Sequence, residues 1–175
     1  ADRVSKRDII NMLEFSVNGA SNRMHAEAVK DSAKRGMGTT LVSILVAGHQ
    51  AFVTYVGDSR CYMLRNGAIQ QLTEDHNVYN ELIKKKKLPK EKAEKLLVQK
   101  NAVTRAVGVY EHCEPDTLVI DIVAGDRFLL CTDGLSMYFE ADEVAELGKL
   151  LSNRDAEAAG DWRPGFGHND LEAVA

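Results

Sequence analysis

The chain has 175 residues, of which 45% are hydrophobic and 27% charged, and its formal net charge is −4. This composition is typical of a folded globular chain and excludes a disordered one, which would be depleted in Val, Ile and Leu. The longest apolar stretch, residues 41–47, is far shorter than the roughly 20 residues that a membrane span needs, so we predict no membrane segment. The three cysteines include no CxxC pair and no secretory leader is visible, which predicts a cytoplasmic protein.

The first predicted element is a long amphipathic helix over residues 8–34. Apolar residues recur along it at alternating spacings of three and four, which places them on one helical face. They are Ile10, Leu13, Val17, Ala20, Met24 and Ala28. The helix is expected to end before Gly36, because Gly36 and Gly38 are poor helix formers and favour a turn.

Four short strands are predicted after this helix, because β-branched residues are frequent and turn residues separate the runs. Asn66-Gly67 lies between the last two strands and is typical of a tight type I′ hairpin, which needs positive φ at both positions. The connections are too short for a helical crossover, so the sequence predicts an antiparallel meander. The four strands cover residues 39–47, 50–56, 60–65 and 68–72.

A helical segment over residues 78–97 comes next, and Pro89 divides it into two pieces. It contains the main basic cluster, residues 84–95, in which glutamates are interspersed with lysines and no aromatic side chain is present. This pattern is typical of a solvated helical face. Together with the net negative charge it predicts that the protein does not bind nucleic acid.

The rest of the chain continues this mixture of strands and helices. Strands are predicted over residues 117–123 and 127–132, and an amphipathic helix is predicted over residues 141–151. Residues 158–175 have little periodicity, so we predict an irregular tail with a short strand at residues 171–175.

Two acidic turns are the candidate sites for chemistry. Asp133 follows the apolar run Phe128–Cys131, and Asp58 lies in a turn between two strands that we expect to be neighbours. Carboxylates at rigid strand ends suit hard cations such as Mg²⁺ or Mn²⁺, which prefer oxygen ligands. Asp-Gly and Gly-Asp-Ser are also common in ordinary turns, so a purely structural role stays open for each aspartate.

Five short sequences become recognisable when they are taken together in chain order. They are Gly36–Thr40 (GMGTT), Val56–Arg60 (VGDSR), Leu72–His76 (LTEDH), Thr104–Gly108 (TRAVG) and Gly125–Leu135 (GDRFLLCTDGL). In this order they closely resemble the metal-dependent protein phosphatases, that is, the type-2C serine/threonine phosphatase family in its bacterial form. The resemblance covers roughly residues 10–151.

The resemblance implies an α+β fold in which two antiparallel sheets are stacked face to face, with helices on both outer faces. It also implies hydrolysis of phosphoserine and phosphothreonine in proteins by water that Mn²⁺ or Mg²⁺ ions activate. A complete site of this family holds two or three such ions. The implied partner is a phosphoprotein substrate that a Ser/Thr kinase has modified, and we predict that the protein is a monomer.

Three aspartates match ligand positions of the family, and the resemblance assigns no catalytic side chain besides these metal ligands. Asp133 matches the carboxylate ligand of the second ion, and Asp58 matches the aspartate of a third, weaker site. Asp170 is the nearest match to the closing Asp-Asn pair of the family, with Asn169 before it, so that the order is reversed. The lysine-rich stretch 78–100 falls where the family has a mobile flap beside the active site.

The early motifs of the family do not occur in this sequence. They are an arginine that holds phosphate, an aspartate ligand and a bridging aspartate. Residues 1–175 are therefore expected to form a single but partial phosphatase domain without its N-terminal strands. The leading hypothesis is a protein phosphatase, and the alternative is a catalytically inactive phosphatase-like domain with a regulatory or binding role.

Overall fold

The computed structural model describes residues 4–86 and 102–138, together with Val144 and Gly148. The described helices are α1 (Lys6–Lys30), α2 (Val78–Lys86) and the short α3 (Asp133–Ser136), with a 3-10 turn at Ser32–Lys34. The described strands are β1 (Leu41–Ala47), β2 (Gln50–Val56), β3 (Arg60–Arg65), β4 (Ala68–Gln71), β5 (Asp116–Asp121) and β6 (Arg127–Cys131). None of the described helices is long and apolar enough to span a membrane.

Helix α1 begins where a capping box satisfies its first backbone N–H groups. The Ser5 hydroxyl accepts a hydrogen bond from the Asp8 N–H at 3.1 Å, and the Asp8 carboxylate accepts one from the Ser5 N–H at 2.9 Å. The helix ends at Lys30, because Asp31 is extended and its side chain caps the 3-10 turn that follows. The predicted helix over residues 8–34 is confirmed in its central part, and its last residues form this separate turn.

The six strands form two antiparallel sheets of three strands each, with the orders β1-β2-β5 and β4-β3-β6. The six strands predicted between residues 39 and 132 are confirmed to within about two residues at their ends, and the strand predicted at residues 171–175 lies outside the described residues. The hairpin between β3 and β4 is confirmed as well, because Asn66 and Gly67 both have positive φ, at 52° and 78°.

The prediction of one continuous meander is wrong at its centre, because β2 and β3 lie in different sheets. Gly57 has a φ of 104°, and the short turn after it takes the chain from the first sheet to the second. Strands from much later in the sequence, β5 and β6, pair with β2 and β3 instead. The short connection therefore joins the layers of a sandwich and does not join neighbours in one sheet.

Apolar side chains fill the space between the two sheets and the space under α1. The first cluster contains Val53, Tyr55 and Cys61, with Val42, Ile44, Leu72, Leu118 and Phe128 packed against it. The second cluster lies between α1 and the outer face of the first sheet and contains Val17, Val56 and Val107, with Met24, Leu41 and Cys113. The stacked-sheet architecture that the resemblance implied is thereby confirmed.

The second sheet has helical residues against its other face. Val144 and Gly148 are helical, as predicted for residues 141–151, and the rest of that segment lies outside the described residues. A Cβ atom on Gly148 would be 3.1 Å from Ile69 Cγ2, so this helical residue lies directly against β4. The predicted helix over residues 78–97 is described only as far as Lys86. Residues 87–100 and the tail, residues 158–175, lie outside the described part.

One residue on α1 departs from the predicted apolar face. Ala20 is exposed, and the neighbouring Ser21 is fully buried instead. The Ser21 hydroxyl donates to the Tyr110 carbonyl at 2.9 Å and accepts from the Gly108 N–H at 2.9 Å. The helix is therefore rotated so that a hydroxyl, and not a methyl group, meets the loop beneath it.

Replacing Ser21 by Ala should lower the free energy of unfolding by about 1–3 kcal/mol, because the buried Gly108 N–H loses its acceptor. Denaturant unfolding of the two proteins measures the difference. Ser16→Ala is a matched control on the same helix, since the Ser16 hydroxyl is exposed and bonds only to the carbonyl one turn earlier. Equal effects of the two substitutions would show that the Ser21 contacts contribute nothing specific.

An ion pair joins the β3–β4 hairpin to the turn before β6. The Arg65 guanidinium donates to both carboxylate oxygens of Asp126, at 2.8 and 2.6 Å, and it also donates to the Asp121 carbonyl at 2.8 Å. Arg65, together with the Val123 N–H, lowers the pKa of Asp126 to about 2. The charged form of Asp126 is therefore the form that the fold stabilises.

Asp126→Asn should lower the free energy of unfolding at neutral pH but not at the acidic end of the range. The contribution of Asp126 is fully present above its ordinary pKa of 3.8 and is lost as the pH falls through about 2, because below that pH the carboxyl group is protonated in both the folded and the unfolded state. Unfolding curves between pH 2 and pH 7 measure this dependence. Arg65→Gln should remove the same pH-dependent part of the free energy of unfolding, because it removes the partner of Asp126. If the losses of Arg65→Gln and Asp126→Asn simply add in the variant that carries both, the two side chains do not act as a pair.

Candidate metal centre

The pairing of β3 with β6 brings the two predicted acidic turns to one end of the second sheet. Arg60, the first residue of β3, is opposite Cys131, the last residue of β6. Asp58 precedes Arg60 by two residues, and Asp133 follows Cys131 by two. In an antiparallel pair these positions lie beyond the same end of the strands, so the two carboxylates approach each other.

Both aspartates line one cleft of about 190 Å³. The other lining residues come from the strand ends and from the segments that follow β4 and β6. Among the described residues, the cleft is lined by Asp58, Arg60, Asp75, Asn77, Asp133, Ser136 and Met137. Of these, only Asp58 and Asp133 were expected as site residues from the sequence.

The turn that carries Asp58 is held on both sides. Gly57 lies so close to Thr40 that any side chain at this position would collide with it. On the other side, the hydroxyl groups of Thr40 and Ser59 are hydrogen-bonded at 2.8 Å. Thr40, which belongs to the GMGTT sequence, therefore fixes the turn in place from the first sheet.

Burial raises the pKa of the Asp58 carboxyl group, and the nearby negative charges of Asp133 and Asp75 raise it further. The charged form of Asp58 is thus disfavoured unless positive charge is supplied. Either a proton or a metal cation would relieve the repulsion among these carboxylates. This electrostatic arrangement is typical of a site that binds cations.

Arg60 supplies only a small part of that charge, as the smallest of the influences on the pKa of Asp58, because its guanidinium group is already engaged. Nε and Nη2 donate to the two oxygens of Asp75 at 2.9 and 2.7 Å, and Nη1 donates to the Tyr62 hydroxyl at 3.1 Å. Its side chain is only 25% exposed. The bidentate pair holds the segment after β4 against β3, and it leaves the cleft negative.

The donor chemistry of the cleft fits a hard divalent cation, since carboxylate oxygens are the preferred ligands of Mg²⁺ and Mn²⁺. The number of donors is smaller than a full ligand set. Within the ranges 4–86 and 102–138 and at the two isolated helical residues, no group of three His, Cys, Asp or Glu side chains is placed to hold a metal ion. Asp58 and Asp133 therefore fit as part of a metal site and not as a complete one. Asp170 lies outside the described residues.

The sequence did not reveal the roles of Asp75 and Asn77 in this cleft. Both follow β4, and their positions depend on the return of that segment toward β3. Asn77 accepts the Asn80 N–H at 2.8 Å and so caps α2. The LTEDH sequence was the only available signal, and its spacing does not show that Asp75 pairs with Arg60.

The comparison with known families agrees with this geometry. The sequence profile described as "Protein phosphatase 2C" matches residues 11–160, which is most of the chain. The chain belongs to the protein phosphatase 2C family. The resemblance inferred from the five short sequences is thereby confirmed.

The relatives of this protein phosphatase 2C chain are bacterial serine/threonine phosphatases. The serine/threonine phosphatase stp of Listeria monocytogenes is 42% identical over 146 residues, or 83% of this chain. The crystal structure of PstP from Mycobacterium tuberculosis has a TM-score of 0.69 at 32% identity and covers 83% of this chain. A structure of the PstP catalytic domain in complex with 2 manganese ions has a TM-score of 0.65 at 31% identity, also over 83% of this chain.

This chain matches only part of each of these phosphatases. It covers 58% of the Listeria protein, 61% of the Mycobacterium structure and 59% of the manganese-bound domain. The two manganese ions are a property of that relative. Family membership and fold are established for this chain.

Asp133→Asn should lower the pKa of Asp58, because it removes one of the two negative charges that raise it. The pKa should remain above the ordinary value of 3.8, since burial and Asp75 are unchanged. Carboxyl carbon chemical shifts followed over a pH titration measure this directly. Asp121→Asn, at the end of β5 and outside the cleft, is the control. A pKa of Asp58 that is the same in both variants would contradict the proximity of the two carboxylates.

Proposed function

We propose that this chain is a large part of a metal-dependent catalytic domain that hydrolyses phosphoserine and phosphothreonine in proteins. Family membership supports the proposal. The structural observation that carries it is the convergence of Asp58 and Asp133, from the ends of two paired strands, on one acidic cleft. A phosphatase that uses metal-activated water needs such carboxylates and needs no protein nucleophile.

The charge of the cleft supports a role for metal ions. Its described lining contains three aspartates and one arginine, and Asp75 neutralises that arginine. A phosphate group would be repelled by the remaining negative charge. Divalent ions would supply the positive charge that attracts phosphate and would lower the pKa of a bound water.

Asp58 and Asp133 are the residues that we propose as metal ligands, with Mn²⁺ or Mg²⁺ as the ion. Their positions at the ends of β3 and β6 make them rigid, which favours a fixed distance between bound cation and substrate. We propose Asp170 as a further ligand, on the basis of the resemblance alone. The manganese-bound PstP domain supports manganese as the first ion to test.

The substrate that we propose is a phosphoprotein modified by a Ser/Thr kinase. This follows from the activity of the relatives, which are serine/threonine phosphatases. We also propose that the chain acts as a monomer and that residues 78–100 form a flap beside the cleft. Helix α2 begins directly after Asn77, a residue that lines the cleft, which supports this location for the flap.

A second candidate function is that of a phosphatase-like domain without catalysis, which would bind a partner or regulate another protein. The observation behind it is that Asp58 and Asp133, the two proposed ligands among the described residues, fit as part of a metal site, whereas Asp170 lies outside the described residues. A catalytically inactive domain would bind divalent ions weakly and equally in the presence or absence of Asp133. The two functions therefore differ in a direct metal-binding measurement.

The chain should bind Mn²⁺, and a longer chain that also carries the early motifs of the family should hydrolyse a phosphothreonine peptide in a Mn²⁺-dependent manner, with the present chain measured beside it. Asp133→Ala should weaken Mn²⁺ binding by at least about tenfold, because it removes a charged ligand. Titration calorimetry measures the affinity, and phosphate release measures the hydrolysis. Asp31→Asn, which changes an aspartate on the 3-10 turn, should leave both unchanged. No hydrolysis, together with equal Mn²⁺ affinity in wild type and Asp133→Ala, would reject the phosphatase proposal in favour of the inactive domain.

A further inference from the structure

His76 is a buried residue that lies directly behind the turn that carries Asp58. It is 5% exposed, and its ring stacks on the ring of Tyr55 with 5.1 Å between the centroids. Its Nδ1 accepts the Gly57 N–H at 3.2 Å, and its Nε2 lies 3.1 Å from Oδ2 of Asp116. Because a backbone N–H can only donate, Nδ1 holds the lone pair and Nε2 carries the proton that Asp116 accepts.

His76 holds both backbone polar groups of Gly57. Its side chain accepts the Gly57 N–H, and its own backbone N–H donates to the Gly57 carbonyl at 2.9 Å. Gly57 has a φ of 104°, a conformation that other residues rarely adopt. Since Asp58 is the next residue, these two hydrogen bonds fix the peptide from which the Asp58 side chain projects.

A charged pair outside the cleft fixes His76 in turn. Asp116, the first residue of β5, is also 3.3 Å from Nη1 of Arg105. Nε of Arg105 is 3.7 Å from the Glu81 carboxylate. His76, Asp116 and Arg105 do not line the cleft that contains Asp58 and Asp133. The His76 side chain contacts Gly57 directly, and its chain neighbours Asp75 and Asn77 line the cleft, so its side chain can affect the cleft through Gly57 and its backbone through these two residues.

We propose that His76 is a positioning residue for Asp58, which it holds through Gly57 in the place where its carboxylate meets Asp133. This inference rests on the proposed function, because the position of Asp58 affects chemistry only when a cation binds beside it. A histidine that merely filled the core would act on stability alone. If His76 positions Asp58, its substitution also changes the Mn²⁺ affinity of the site. The affinity should then fall only in variants that lose the hydrogen bond to the Gly57 N–H.

Two substitutions of His76 by amide side chains of different length distinguish a positioning role from a purely structural one. In His76→Asn the side-chain oxygen can take the position of Nδ1 and accept the Gly57 N–H. In His76→Gln the amide reaches toward Asp116 and leaves the Gly57 N–H without its acceptor. Thr117→Val is the matched control, since it removes a hydrogen bond at the next residue of β5, the 3.0 Å contact between Thr117 and Thr54.

Mn²⁺ affinity of the full chain should fall about tenfold in His76→Gln, which is the lower end of the effect of residues that orient metal ligands. It should stay close to the wild-type affinity in His76→Asn and in Thr117→Val. Titration calorimetry measures the affinities, and thermal unfolding records the stability of each variant. Equal affinities of the Asn and Gln variants, whether both reduced or both like wild type, would overturn the proposal.

A second readout does not depend on metal. The carboxyl carbon shift of Asp58 should change in His76→Gln and be retained in His76→Asn, whereas identical spectra of the two variants would overturn the proposal.

If the wild-type chain binds no Mn²⁺, the proposed function fails, and this shift alone decides the role of His76. If His76→Gln does not fold, Asp116→Ala replaces it, since it removes the partner of His76 Nε2 that fixes the ring and the Asp116 side chain is 44% exposed. An unchanged Asp58 shift in that variant would also overturn the proposal.

Discussion

The pairing of β3 with β6 fixes the second sheet and places the acidic cleft at its end. It joins two segments that are far apart in the chain and sets Arg60 opposite Cys131. This register brings Asp58 and Asp133 to the same end of the sheet. A slip of one residue would exchange the two faces of a strand, so the buried Cys61 and the packing of the sandwich depend on the same register.

The cleft is negative because Asp75 pairs with Arg60, the arginine among its described lining residues. Asp75 binds Arg60 through two hydrogen bonds, so the ion pair stabilises the end of the sheet and does not neutralise Asp58 or Asp133. The cleft stays negative and favours cations over phosphate. The architecture of the protein phosphatase 2C family is visible in this chain, and the described residues supply part of the ligand set that we propose.

The turn between the two sheets shows how the fold supports the proposed site. Thr40 and Ser59 fix it through a hydroxyl contact, and His76 holds both backbone polar groups of Gly57. These contacts come from the first sheet and from the segment after β4, which meet only in the folded state. Among the described residues no buried side-chain nitrogen or oxygen lacks a hydrogen-bond partner, so this polar support leaves no unsatisfied group.

Residue patterns along the chain are enough to predict the secondary-structure elements and the candidate carboxylates. Local periodicity and turn chemistry place the strands and the hairpin at Asn66-Gly67, and the five short sequences identify the family and single out Asp58 and Asp133. Three features depend on contacts between distant segments and became known from the folded structure. They are the separation of β2 and β3 into two sheets, the burial of Ser21 in place of Ala20 on α1, and the pairing of Asp75 with the guanidinium group of Arg60. The physical reason is that periodicity reports which face of an element is apolar, whereas the partner of that face is chosen by packing between distant segments.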